Sequence, residues 1–455
     1  MATVVAAATA LSALGVTGAG GSGPQARAAP LLARAPSAWT MQAAADRGVR
    51  LWLSRVKGGV LSMAVSPDGG TVFIAGGTGD GDYLTVAYGA ATGAQKWLKR
   101  YTGPSNGRDG AASVAVSPDG STVFVTGTSQ GATTKNDYAT VAYNAATGAQ
   151  LWAHRYNGPA NGYDAAQSVL ASPRGSAVFV TGTSDTSTGV DYATAAYDAV
   201  TGAQLWARRY TGEPNMYASA AVSPDGSTVF VTGTRLWRAT GEDYATVAYN
   251  AVTGAQLWAA RYTSGTGKSP DLVQSVAVSP DGNMVYVTGA SSNAQGYATV
   301  AYNAATGAQL WVARYNYGFG LRVAASPDGR TVFVTGSSAD QQYATVAYNA
   351  VTGAQLWTAR YTGPSYNSPS SMAVSPDGRT LYVTGYSQGG AATDDDYATV
   401  AYGAVTGAQL WAQRWSSHGS YADFAVSVAV SPTGRRVFVT GFSQGGNSRT
   451  IAYTG

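Results

Sequence analysis

Short apolar runs recur along the chain in a fixed order, each closed by turn residues. One unit reads Ser117-Pro-Asp-Gly120, Thr122-Val-Phe-Val-Thr-Gly127, Tyr138-Ala-Thr-Val-Ala-Tyr143 and Thr147-Gly-Ala-Gln-Leu-Trp152. β-branched and aromatic residues dominate the runs, and no stretch of the repeats keeps a helical period, so each unit predicts a four-stranded antiparallel sheet. Ser-Pro-x-Gly starts eight times, at Ser66, Ser117, Ser172, Ser223, Ser279, Ser326, Ser375 and Ser431, at intervals of 47 to 56 residues. Proline presets the second turn position and glycine takes the positive φ that closes a short hairpin. Arg174 and Thr433 replace the aspartate in two units, which a type I turn tolerates.

Four-stranded units at a period near 50 residues predict a β-propeller, since one sheet with two apolar faces needs a neighbour on each side. The second and third strands occur eight times, whereas only seven fourth strands follow a third strand; these carry Trp97, Trp152, Trp206, Trp258, Trp311, Trp357 and Trp411. Leu51-Trp52-Leu-Ser-Arg55 supplies the eighth near the N-terminus. The expectation is an all-β, eight-bladed propeller whose N-terminal strand completes the last blade and removes its open edge. Each of the eight tryptophans has arginine three residues later; Asp82, Asp137, Asp191, Asp243 and Asp396, before the third strands, are candidate partners.

The run Ala142-Tyr-Asn144-Ala-Ala-Thr147-Gly148-Ala-Gln-Leu-Trp152 resembles the tryptophan-docking motif of quinoprotein dehydrogenase propellers. Asp198 keeps that motif's acid, Asn144, Asn250, Asn303 and Asn349 are close to it, and Gly89 and Gly403 depart. The Val-Ser-Pro-Asp-Gly turns and the strands after them are similar to YVTN-type and lactonase-like repeats. Together they resemble bacterial PQQ-binding-like β-propeller repeat proteins over residues 50–455. The resemblance implies structural roles for the motif's threonine, glycine and tryptophan, and makes PQQ with Ca²⁺ a possible cofactor pair, although none is required. A further likeness, to the propeller of the Gram-negative outer-membrane assembly machinery, implies a protein-docking scaffold; that protein is a lipoprotein, and this chain has no cysteine to lipidate.

Composition removes several chemistries. Zero cysteines exclude disulfides, thiolate metal sites and cysteine nucleophiles, and two histidines, His154 and His418, leave little room for zinc. His154 falls on an outer strand, where exposure is the expectation, and His418 in a variable loop near Asp423 and Ser420. The net charge of +4 is scattered over the chain, which argues against nucleic acid. Asp80 and Asp82, and the run Asp394, Asp395 and Asp396, are weak Ca²⁺ candidates that match no complete calcium loop.

Residues 1–36 differ from the rest. An uncharged Ala/Val/Leu/Gly stretch, too short and glycine-broken for a membrane span, precedes the small-x-small run Ala26-Arg27-Ala28. That is the pattern of a secretory leader without the usual basic start, or of a disordered tail. The expected layout is a leader at 1–36, a linker at 37–49 and one propeller at 50–455, secreted and monomeric.

The turns after first and third strands barely vary around the ring, whereas the loops after second and fourth strands differ in length and content. These variable loops share one face, the expected binding face. It offers Trp237 between Arg235 and Arg238, with Tyr163, Met216, Tyr217, Tyr317, Phe319, Tyr366, Tyr421 and Phe424. Aromatics among small polar residues suit a glycan or a protein partner, and capping of blade ends is the plainer alternative. Four residues before the Ser-Pro serine stands a serine in seven blades and Arg322 in the sixth, which could hold an anion in the axial channel or face solvent at its mouth. Two functions stay open: a non-catalytic binding scaffold, favoured here, and an enzyme, either a PQQ-dependent oxidoreductase or a lactonase- or lyase-like propeller.

Overall fold

The computed structural model describes residues 47–105, 107–211, 214–237, 241–265, 270–291, 296–316, 318–389, 395–417 and 422–455, with 214–217 and 236–237 in their backbone only. The described residues form eight four-stranded antiparallel sheets, each paired in chain order except the last. Blade 1 runs Gly59–Val65, Thr71–Gly77, Tyr83–Gly89 and Gln95–Tyr101 from the axis outward, and blades 2 to 7 repeat it. Blade 8 takes Asp423–Val430, Arg436–Ser443 and Asn447–Thr454 from the C-terminal end and Arg50–Lys57 from the N-terminal end, closing the ring as the tryptophan count required.

Each turn is built by its own side chains. At Ser66-Pro-Asp-Gly69 the Ser66 hydroxyl donates to Asp68 and accepts the Thr71 N–H, while Gly69 N–H bonds Ser66 O at 2.8 Å with φ of 69°. Arg174 and Thr433 leave that backbone bond intact in their blades, at 2.8 Å from Gly175 to Ser172 O and from Gly434 to Ser431 O. In the third-to-fourth turn Asn144 Oδ1 accepts from the Ala146 and Thr147 N–H groups and from the Thr147 hydroxyl, at 3.0–3.1 Å. Gly148, at φ of 69°, lies flat under Trp97, where a Cβ would come within 2.8 Å of the indole.

That contact joins the blades. Trp97 is buried, packs against Phe73 of its own blade and Tyr143 of the next, and donates Nε1–H to Ala145 O at 2.9 Å. Trp52, Trp152, Trp206, Trp258, Trp311 and Trp357 make the same bond to the following blade at 2.8–3.2 Å. Hydrophobic clusters accordingly span pairs of neighbouring blades, as where Phe73 and Trp97 share a core with Val123 and Tyr143. A buried ring of this size contributes roughly 3–5 kcal/mol against truncation to alanine.

The axial serines have a structural use that their spacing alone did not reveal. Every first strand with described pairing has a register shift, and its inner edge faces no further strand. Ser62, Ser113, Ser275 and Ser371 accept the N–H of Val114, Val169, Val323 and Val428 in the next blade at 3.1–3.3 Å. The serine ring thus satisfies inner-edge amides that would otherwise be buried without a partner.

Candidate functional site

The variable-loop face carries a repeated polar layer beneath its surface. Four arginines three residues past tryptophan hold the aspartates expected of them: Arg155–Asp137 at 2.8 Å, Arg209–Asp191 at 3.0 Å, Arg261–Asp243 at 2.6 Å and Arg414–Asp396 at 2.7 Å. Arg100 lies 3.4 Å from Asp80 and 3.9 Å from Asp82, and Arg360 pairs with Asp340. Of the residues considered above for Ca²⁺, Asp396 is paired closely with Arg414, Asp82 accepts from the Thr102 hydroxyl at 2.9 Å, and Asp80 lies exposed near Arg100. Asp395 lies beside Asp396 at the start of its strand, and Asp394 is outside the described residues.

A second set of carboxylates was missed by the sequence reading. Asp109, Asp164, Asp271 and Asp423 open first strands four residues before the axial serine, and all are buried. They accept backbone N–H groups from the preceding fourth-to-first loop: Gly103 and Gly158 at 2.5 and 2.6 Å, Ser264 and Ser417 both at 2.7 Å. Their constant offset from the serine was the available signal. Burial pushes the Asp164 carboxyl above its ordinary range, against the Gly158 N–H that favours its ionised form.

The axial mouth departs from this pattern in two adjoining places. In blade 1 Gly58, at φ of 133°, replaces the aspartate, and Gly59 and Gly77 face each other across the first two strands. The result is an open pocket of about 550 Å³, walled by these glycines with Leu61, Ala112 and Thr128 and reaching Gly446 of blade 8. On the side of blades 7 and 8 aromatic rings follow one another. Tyr366 stacks on Tyr386 at 5.7 Å and 12°, Tyr386 meets Phe424 edge-on at 5.2 Å, and Phe424 lies 5.4 Å from Phe442. Phe319 of blade 6 is 60% exposed and Tyr163 of blade 3 is 56% exposed beneath Lys135, whose ammonium sits 4.5 Å from the ring.

Other expected site residues are distributed differently. Arg235 leans on Tyr210, donating to its hydroxyl at 3.2 Å with the guanidinium 5.2 Å from the ring centre. The side chains of Trp237, Met216 and Tyr217, and residues Arg238, Tyr317, His418 and Tyr421, lie outside the described residues. Arg322 does not face solvent at the mouth: it is 8% exposed, donates to Leu321 O at 2.7 Å, and burial pushes its pKa down to about 10. His154 is likewise not a surface residue; it is half-buried with its ring 4.7 Å from Tyr197 of the next blade, and burial lowers its pKa. Arg322 ends up inside and His154 half-covered because inner strands and blade seams, unlike isolated strands, have packed neighbours on both faces.

PQQ with Ca²⁺ would need cationic or amide groups for the quinone's carboxylates and clustered oxygens for the metal. The pocket at the mouth is walled by glycine, alanine, leucine and threonine. Among the described residues no three His, Cys, Asp or Glu side chains gather to hold a metal ion. The lining of this pocket does not fit that pair. No helix among the described residues is long and apolar enough to cross a membrane.

Solved structures share the architecture. Sqt1 from Chaetomium thermophilum, bound to the N-terminus of the ribosomal protein L10, is 12% identical with a TM-score of 0.61, over 88% of this chain and 97% of that one. The Dos1 propeller is 10% identical with a TM-score of 0.58, over 89% and 95%. At such identities the likeness is one of fold. No curated protein matches the chain. Residues 39–195 and 294–451, more than half of the chain, match the family described as outer membrane protein assembly factor BamB. With the docked tryptophans and the split closing blade, that match places the chain in this family of PQQ-like β-propeller repeat proteins.

Proposed function

We propose that the protein is a non-catalytic, exported, monomeric binding propeller that takes an extended polypeptide segment across the axial mouth of its variable-loop face. The observation that carries this reading is the asymmetry of that mouth. A glycine-walled pocket in blades 1 and 2 adjoins a run of aromatic rings in blades 7 and 8, while the opposite face repeats the same two turns around the ring. Exposed backbone and apolar rings suit a peptide, whose amides and side chains need both; a sugar would want more polar side chains than the two threonines of the pocket wall, Thr78 and Thr128. Sqt1, a propeller of the same architecture, is bound to a polypeptide end. The alanine-rich leader and the absence of cysteine fit export.

Gly59 is the position at which to fill the pocket, because a Cβ there would meet nothing within 4 Å. Peptides selected from a random display library on the intact protein are expected to lose about tenfold or more in affinity with Gly59→Phe and with Phe319→Ala, at unchanged melting temperature. Selected peptides indifferent to both variants, or no enrichment at all, would overturn the reading. Binding on a glycan array that the same variants abolish would replace the peptide by a glycan.

A further inference from the structure

Blade 8 differs from its neighbours at three adjacent positions of its outer two strands. Where blades 2, 3, 4 and 7 carry Asp137, Asp191, Asp243 and Asp396, and blades 5 and 6 have Gly296 and Gln342, it carries Asn447. Opposite the tryptophan-linked arginine, where six blades have alanine and blade 1 has Leu84, it has Arg449 facing Arg55. Five residues past the tryptophan, where the others have Thr, Asn or Ser, it has Lys57, which pairs with Asn447. All four side chains lie on the same face of the strand pair, because residues two apart in a strand share a face.

Each change moves the local charge the same way, and like charges directly opposite on antiparallel strands destabilise a sheet. Arg55 donates to Asn447 Oδ1 at 3.1 Å and so meets a neutral acceptor. The Arg449 guanidinium lies 5.8 Å from the Trp415 ring and donates to Ser448 O at 3.2 Å. Burial, then the facing Arg55, pulls Arg449 below its usual pKa, while Asp423 works in the opposite direction. Asp423 is held on one oxygen by the Ser417 N–H and on the other by the Ser443 hydroxyl. Its counterparts Asp109 and Asp164 are present in blades 2 and 3, where the arginine still takes a further carboxylate, so Asp423 does not make up for Asn447.

Four other blades show what this register binds: a carboxylate oxygen 2.6–3.0 Å from the guanidinium. We propose that Arg55, Lys57 and Arg449, gathered around Asn447 at the seam of blades 7 and 8, form a binding site for a carboxylate supplied by another molecule. The carboxylate replaces the aspartate that blade 8 lacks and relieves the arginine–arginine contact, using the paired geometry that guanidinium groups offer. The source is an acidic polypeptide or a small organic acid. The site stands whether or not the axial mouth takes a peptide.

The test uses the intact protein in low salt, where exposed cations are least screened. Glutarate, sulfate and chloride are compared at equal ionic strength by thermal denaturation and calorimetry, together with a hexapeptide containing two glutamates. Glutarate is expected to raise the melting temperature, and Asn447→Asp and Arg449→Ala are each expected to weaken its binding about tenfold or more, the loss of a charge-assisted contact. Asn447→Asp should itself melt higher than the parent, because it supplies the carboxylate within the chain. Arg449→Ala introduces the residue that six other blades carry there, so it should fold. A glutarate response unchanged in both variants, a lower melting temperature for Asn447→Asp, or a stronger response to sulfate would overturn the assignment. Tighter binding of the peptide than of glutarate identifies a polypeptide source, and equal binding a small acid; both support the site.

Discussion

At the seam of blades 1 and 2 the Trp97 indole rests on the turn Asn144–Gly148 and donates to Ala145 O at 2.9 Å. At the seam of blades 7 and 8 the same turn is assembled from two chain ends. Thr454 N–H bonds Val49 O at 2.9 Å, Gly48 N–H bonds Thr454 O at 3.1 Å, and Gly48 takes the left-handed conformation under Trp411 at φ of 71°. The N-terminal contribution thus begins before the Leu-Trp strand, at the glycine of the docking motif. Trp411 still packs on Tyr382 and Tyr453, yet its Nε1–H is buried with no hydrogen-bond partner among the described residues. Closing a ring without a covalent turn keeps the strand ladder and the apolar packing. Among the described residues it leaves that one directional bond unmade.

Removing residues 1–57 tests this comparison most severely. It takes away the outer strand of blade 8, unpairs Asn447–Thr454 and uncovers Phe438 and Tyr88, which pack on Trp52. The melting temperature is expected to fall by more than about 10 °C, whereas removal of 1–46, which leaves every described contact in place, should leave it nearly unchanged. Equal behaviour of the two truncations in circular-dichroism melts would break the closure argument.

A finer test compares equivalent tryptophans. Trp97→Phe and Trp411→Phe lose similar ring area, but only the first also loses a hydrogen bond. Trp97→Phe is expected to cost about 1 kcal/mol more, measured by denaturant unfolding. Equal costs would mean that the missing bond at the split turn has no energetic weight.

The smallest effect concerns the blade 8 turn. In Asp68, Asp119, Asp225, Asp281 and Asp328 the serine hydroxyl two residues earlier holds the carboxyl below its ordinary 3.8. Blade 8 has Thr433 instead, beside Arg435 and Arg436. Thr433→Asp is expected to add about 0.3–0.5 kcal/mol at neutral pH. A carboxyl lowered in the folded state stabilises above its unfolded pKa, and the gain is lost as pH falls through the folded value. The melting-temperature difference from the parent should therefore shrink as pH falls below the ordinary carboxyl range and vanish in strong acid; a gain that persists there would exclude the carboxylate as its cause.

Much of this was legible beforehand, for reasons visible in particular residues. Trp52 and Arg55 announced the closing strand because the seven fourth-strand tryptophans have the same partner three residues on; of the five aspartates named as candidate partners, four meet such an arginine at 2.6–3.0 Å and Asp82 stands 3.9 Å from Arg100. The mouth was less legible. Its pocket draws Gly59 from blade 1, Ala112 from blade 2 and Gly446 from blade 8, residues far apart in the chain and without chemical character of their own. Arg322 was expected to hold an anion in the channel or face solvent at its mouth, and His154 to be exposed; packing across inner strands and blade seams buried the first and half-covered the second.

By itself the sequence determined the blade, the number of blades and the closure, because turn chemistry, strand alternation and a once-per-unit tryptophan are local signals repeated eight times. Only the tertiary structure decided which seam, among the described residues, leaves its indole N–H unbonded, which glycines open a pocket and which arginines face each other across a strand pair. Those features depend on what the neighbouring blade presents across a packed interface, and a linear pattern read one unit at a time carries no term for that neighbour.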